Sequence, residues 1–167
     1  MKLLITAVFF ALAGPAGAFA AAFPAPNGDV LLTITGNIEN SNRADAADFD
    51  LSMLDTVSGR KATMETPWTK GLIKFEGPLL RKLLEQVGAH GRTLRIKALN
   101  DYSSEVPIED AISLDTILAV RMNGVPMSVR EKGPLFMIYP FDLHPELYNE
   151  KYFSRSVWQI REIEVIE

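Results

Sequence analysis

Few side chains in this sequence can do chemistry, and their spacing narrows the choice further. There is no cysteine. That excludes a thiolate nucleophile, a thiolate metal ligand and any disulfide. The two histidines, His90 and His144, have no second histidine or cysteine at metal-ligand spacing, so both read as surface residues. Asp101, Ser103, Ser104 and His144 supply the residue types of a nucleophilic triad. No Gly-x-Ser-x-Gly elbow presents either serine, so the pattern does not specify a hydrolase. No glycine-rich phosphate loop is present, and no carboxylate pair stands apart for acid–base work.

More is carried by aromatic and polar residues at the ends of expected strands. Trp68 follows Pro67, and Tyr102 follows Asn100-Asp101. Phe141-Asp142 follows Pro140, while Arg155 and Trp158 flank the start of the last strand. Each alone fits a packing or turn role. Converging from several loops, they line an apolar pocket with a few polar anchors, the form of a small-molecule site.

Such a pocket needs a scaffold, and the composition supplies one. A length of 167 residues and a hydrophobic fraction of 47% suit a single domain with a real core. A formal net charge of -4 argues against nucleic acid as a partner. Residues 1–20 read as a signal peptide. Lys2 gives the positive start, Leu3–Ala13 the apolar core, Gly14-Pro15 the break and Ala18-Phe19-Ala20 the cleavage site. The run is short for a membrane span, so the expectation is cleavage, with the mature chain in the periplasm and off the membrane, over the rival reading of a retained anchor. Residues 21–28, rich in proline and glycine, read as a linker, and 29–167 as the domain.

The domain reads as α+β, a β-rich mixed sheet with short helices. Val30–Thr35 is β-branched and stops at Gly36, a strand pattern. Asn40–Asp48 is polar and reads as a surface loop. Phe49–Leu54 suits a short helix capped by Asp48 or Asp50. Lys61–Glu65 suits a strand. Gly77–Gly88 reads as the clearest helix, with Pro78 in its first turn, Leu79, Leu80, Leu83, Leu84 and Val87 on one face, and Gly88 as its stop. Thr93–Ala98 alternates as a half-buried strand. Asn100-Asp101-Tyr102 is a turn, and Glu109–Ser113 a helical turn. Ile117–Val120 and Leu135–Tyr139 are apolar runs that pair as buried strands in the middle of a sheet, with a tight turn at Asn123-Gly124 between them. Asp142–Lys151 reads as an irregular loop, and Val157–Ile166 as a last strand of imperfect period.

Several segments, in this order, match a known pattern. They are Met64-Glu65-Thr66-Pro67-Trp68, then Phe75-Glu76-Gly77-Pro78-Leu79-Leu80-Arg81-Lys82-Leu83-Leu84 with its Gly-x-x-Leu-x-x-Leu-Leu spacing. Next come Asn100-Asp101-Tyr102 with Val106-Pro107, and Asn123-Gly124-Val125-Pro126-Met127. Gly133–Pro140 and Ser156–Ile160 complete the set. From about Ile34 to Val165 the chain resembles the molybdopterin-binding domain of the sulfite oxidase family, including its small periplasmic members. The resemblance implies that family's fold, with molybdopterin as the candidate cofactor. It implies Thr66, Trp68, Asn100, Asp101, Tyr102 and Arg155 as residues around the cofactor site.

The departures from the family pattern matter as much. Thr66 stands where catalytic members carry the cysteine that binds molybdenum. A protonated hydroxyl is a poor substitute for a soft anionic thiolate. Phe136 stands where the family often has an arginine that helps hold the cofactor's phosphate, and Arg155 is the basic residue retained nearby. The resulting expectation is a non-catalytic periplasmic ligand-binding or sensing module, without a metal ligand, that takes a small molecule and signals to a redox or sensor protein. The alternative is a molybdopterin-dependent oxidoreductase holding its cofactor by backbone groups and Arg155, or a redox-partner subunit.

Overall fold

The described part of the computed structural model is residues 23–167. The expected leader falls outside it. The elements run in the order β1 (Leu32–Gly36), β2 (Ala46–Phe49), α1 (Leu51–Thr56), β3 (Gly59–Met64), β4 (Ile73–Pro78), α2 (Leu80–Gln86), β5 (Thr93–Ala98) and β6 (Ser103–Pro107). They continue with α3 (Glu109–Ile112), β7 (Ile117–Ala119), β8 (Arg121–Met122), β9 (Val125–Pro126), β10 (Phe136–Ile138), α4 (Glu150–Arg155) and β11 (Ile160–Ile166). Strands dominate and the helices are short, which is the α+β, β-rich arrangement expected.

Three sheets form from these strands. The largest is mixed, in the order β2-β1-β11-β5-β6, with only β1 and β11 parallel. A second sheet runs β3-β4-β8-β9, and β7 pairs with β10 alone. The alternation along β5 does what its pattern predicts. Leu94, Ile96 and Ala98 are buried, while Arg95 and Lys97 face outward. There they meet Glu162 and Glu164 of β11, with Lys97 Nζ 2.7 Å from Glu162 and Arg95 Nη1 3.1 Å from Glu164. Opposite charges on adjacent strands support the register. The imperfect period of the last strand also has a cause: a bulge shifts the pairing between Ile160 and Glu162.

The β7–β10 pair joins the two larger sheets. All six of its residues are buried. On one side Leu79 bridges Ile117, and Val120 N–H donates to the Glu76 carbonyl at 2.9 Å. On the other, Met137 N–H donates to Val157 O at 2.9 Å, and Ile160 N–H to Leu135 O at 3.1 Å. Buried backbone must be paired in this way. Close approach also needs a missing side chain. A Cβ at Gly77 would lie 2.0 Å from the Leu118 carbonyl oxygen, so only glycine fits there.

Four sequence expectations are corrected. The polar stretch Asn40–Asp48 is not all loop, because its end forms β2. The Asp48 carboxylate is buried there between Thr33 Oγ1 at 2.7 Å and Arg43 Nε at 2.6 Å. The helix expected from Gly77 starts at Leu80, and Gly77 and Pro78 instead finish β4, opposite Arg60 and Gly59. The Asn123-Gly124 turn exists, with positive φ at both residues, but it joins β8 to β9 rather than the buried pair. The loop expected over Asp142–Lys151 contains a 3-10 turn at Pro145–Leu147 and the start of α4, capped by the Asn149 side chain.

Asp50 rather than Asp48 caps α1. Its carboxylate accepts from Ser52 Oγ at 2.6 Å, Met53 N at 2.9 Å, Gly28 N at 2.9 Å and Asn27 N at 2.7 Å. The linker stretch is thereby tied to the helix start. These donors, Ser52 first and the backbone N–H groups after it, hold the Asp50 carboxyl well below the ordinary carboxylate range. A depressed folded value stabilises the fold fully above the unfolded value near 3.8, and that contribution is lost as pH falls through the folded value.

Two outcomes follow from this packing. Gly77→Ala lowers the unfolding free energy by about 3 kcal/mol or more, because backbone must move to admit the methyl group. Urea denaturation checks it, and an unchanged midpoint would remove Gly77 from the joint. Below pH 3.8 the urea midpoint of the wild-type protein falls more steeply than that of Asp50→Ala. Circular dichroism follows both curves, and parallel slopes would show that Asp50 does not carry this acid sensitivity.

Candidate functional site

At Ala98 the β5 strand ends in a tight turn. Asp101 N–H donates to Ala98 O at 3.2 Å, Ala98 N–H to Tyr102 O at 2.8 Å, and Tyr102 N–H to Asn100 Oδ1 at 3.2 Å. Asp101 takes φ 64°, a left-handed conformation that aspartate tolerates. Leu99 N–H donates to Gln159 O at 2.9 Å, which ties this turn to the entry of β11. Beside both lies α4, and across from them the loop after β3 brings in Trp68.

Between these four pieces is a cavity of about 470 Å³. The β5–β6 turn contributes Asn100 and Tyr102, and α4 contributes Glu150, Phe153 and Ser154. The segment before β11 contributes Ser156, Val157 and Trp158, and the β3–β4 loop contributes Trp68. Four rings therefore face one space. Trp68 is the hub, with its ring centroid 6.1 Å from Trp158 and 5.7 Å from Phe153. Behind it Phe136 is fully buried, 5.4 Å from Trp68 and 5.9 Å from Trp158. The Trp68–Phe153, Trp68–Phe136 and Phe136–Trp158 contacts are edge-to-face and the Trp68–Trp158 contact is tilted, geometries that aromatic pairs favour. A larger, shallower depression of about 670 Å³ lies near Asp50 and Met127, and none of the six candidate residues lines it.

Of those six, the structure brings Trp68, Asn100 and Tyr102 together around the cavity. Thr66 is buried two residues before Trp68, outside the cavity lining, with its Oγ1 2.8 Å from Thr69 Oγ1. Asp101 points away and meets Arg161 at 2.9 Å on the surface. Arg155 turns inward, and its Nη1 donates to Asp110 Oδ2 at 2.7 Å. The same carboxylate oxygen accepts from Tyr139 Oη at 2.8 Å. Burial first, then the Asp110 charge, pushes the Tyr139 phenol far above its ordinary value, so it remains a neutral donor. Asp142 is likewise committed, 2.5 Å from Arg60. The triad residues are not assembled: His144 Nδ1 lies 3.1 Å from Glu146, and Asp101 is held by Arg161.

Glu150, Phe153, Ser154 and Ser156 were not foreseen as site residues. The α4 helix that carries most of them has six residues, too few for a helical period to show. The available signal was Asn149 followed by Glu150, a helix cap with an acidic first turn.

The model for the oxidoreductase molybdopterin binding domain family matches residues 31–167. Among solved structures, the chain is similar to the sulfane dehydrogenase SoxCD from Paracoccus pantotrophus, with a TM-score of 0.60 at 19% sequence identity. The match covers 83% of this chain and 38% of that one, so it speaks to the fold. No curated protein matches the sequence.

The residues around the cavity do not suit a phosphate-bearing, metal-holding cofactor. Thr66 presents a buried hydroxyl bonded to Thr69 rather than a thiolate. Among the described residues lining the cavity there is no lysine, arginine or histidine, and Glu150 adds a negative charge. No group of three or more His, Asp or Glu side chains is placed to hold a metal ion among the described residues.

Because Arg155 is spent on Asp110, its removal acts on stability. Arg155→Ala lowers the unfolding free energy by about 2 kcal/mol, the scale of a charged hydrogen bond in a half-buried setting. It leaves the affinity of any ligand in the cavity unchanged. Parallel denaturation and binding titrations check this, and a large loss of affinity at wild-type stability would return Arg155 to the site.

Proposed function

The chain belongs to the oxidoreductase molybdopterin-binding domain family, and from that membership we propose a non-catalytic ligand-binding or sensing module of the periplasm. It keeps the family's architecture and uses the cavity for a small molecule without molybdenum chemistry. The observation that carries this reading is Thr66. A buried hydroxyl bonded to Thr69 offers a metal neither negative charge nor a soft donor. Phe136 supports the same reading from the other side. Its fully buried ring fills the space behind Trp68 and Trp158, at the position matched to the family's phosphate-binding arginine.

Secretion rests on the amino-terminal pattern, a single lysine followed by an apolar run and a small-residue cleavage site. Among the described residues no helix is long and apolar enough to cross a membrane. A binding module in that compartment acts by passing its occupied state to a second protein, a redox or sensor partner.

Protein purified from its native source contains far less than stoichiometric molybdenum by elemental analysis, and native mass spectrometry shows a small organic adduct. One molybdenum per chain would overturn the proposal and restore an oxidoreductase.

A further inference from the structure

We infer that the cavity binds a small organic cation, a methylated ammonium or protonated amine carrying an apolar body. This rests on the reading of the protein as a ligand-binding module and names the ligand class for it. Four rings, Trp68, Tyr102, Phe153 and Trp158, line the space. An aromatic face carries negative quadrupole density, and a cation within about 6 Å of a ring centroid is attracted to it, most strongly by tryptophan. Two of the four rings are tryptophans.

The charges around the rings point the same way. Glu150 is the sole charged side chain among the described lining residues. Among the described residues it has no ion-pair partner. An anionic ligand would meet this carboxylate with no basic lining residue to offset it. A cation meets the carboxylate favourably and has four aromatic side chains around it. The protein itself shows that one of these rings accepts an ammonium: Lys132 Nζ lies 4.6 Å from the Trp158 ring centroid while remaining outside the cavity lining. A volume of about 470 Å³ accommodates a compact ammonium compound with room for water.

The chain reports on its own cavity. It contains two tryptophans, Trp68 and Trp158, and both line the space. Intrinsic fluorescence of the purified protein is titrated with choline and, separately, with 3,3-dimethyl-1-butanol, the uncharged compound of the same shape. Choline gives a saturable change, and the alcohol binds about tenfold more weakly. Glu150→Gln weakens choline about threefold and leaves the alcohol unchanged. Tyr102→Ala weakens choline as well. Both side chains are exposed, so the variants keep the wild-type circular dichroism spectrum. Choline binding no tighter than the alcohol, or choline affinity indifferent to Glu150→Gln, overturns the cation assignment and leaves the ligand-binding module standing. Stoichiometric molybdenum in the native protein overturns the module itself, whatever choline does.

Discussion

The bare backbone at Gly77 is the constraint on which the rest of the structure depends. There β4 and β7 come so close that the Leu118 carbonyl occupies the place of a side chain. The contact lets Glu76 O accept from Val120 N–H, and it seats the β7–β10 pair against the four-stranded sheet. The same pair reaches the five-stranded sheet through Met137 and Ile160. Ile117, Leu118, Ala119, Phe136, Met137 and Ile138 are all buried because both faces of this short ladder are covered. Each contact joins segments distant in sequence, so the core forms only when both outer sheets are in place.

The joint also builds the back of the site. Phe136 belongs to β10, and its ring touches Phe75 on the core side and Trp68 and Trp158 on the cavity side. An arginine at this position would place a guanidinium among apolar rings with no carboxylate beside it, a costly burial. The two departures from the family pattern are therefore physically consistent. Thr66 offers a hydroxyl rather than a thiolate, and with Phe136 in place the wall behind the cavity closes as hydrophobic core. Arg155 donates to Asp110, and the same carboxylate oxygen accepts from Tyr139.

Elements whose neighbours lie on one face were legible from the sequence. The β5 alternation and the leucine face of α2 each state a period, and burial follows it. The apolar runs of β7 and β10 were recognisable as buried strands because nothing polar interrupts them. What could not be read was pairing. Asn123-Gly124 dictates a tight turn, but nothing local says that its strands join β4 rather than each continuing the buried runs. The β2 strand was hidden by Asp48, whose charge suits a loop until Arg43 and Thr33 are seen around it. Of the candidate residues, the aromatic Trp68 and Tyr102 line the cavity, since rings at loop ends need shelter. The charged Asp101 and Arg155 instead meet long-range partners, Arg161 and Asp110, that no spacing rule supplies.

Here the segments around the cavity are fixed by groups of the chain itself. The β5–β6 turn is closed by its own backbone and by Asn100, and it is tied to β11 through Leu99 and Gln159. Asn149 caps α4, and Arg155 at the end of that helix is anchored on Asp110. Trp68 is held by Phe136, Phe153 and Trp158. A cavity braced in this manner is organised before any ligand arrives, so binding need not supply the free energy of ordering it. The lining on that frame is four aromatic side chains and one carboxylate.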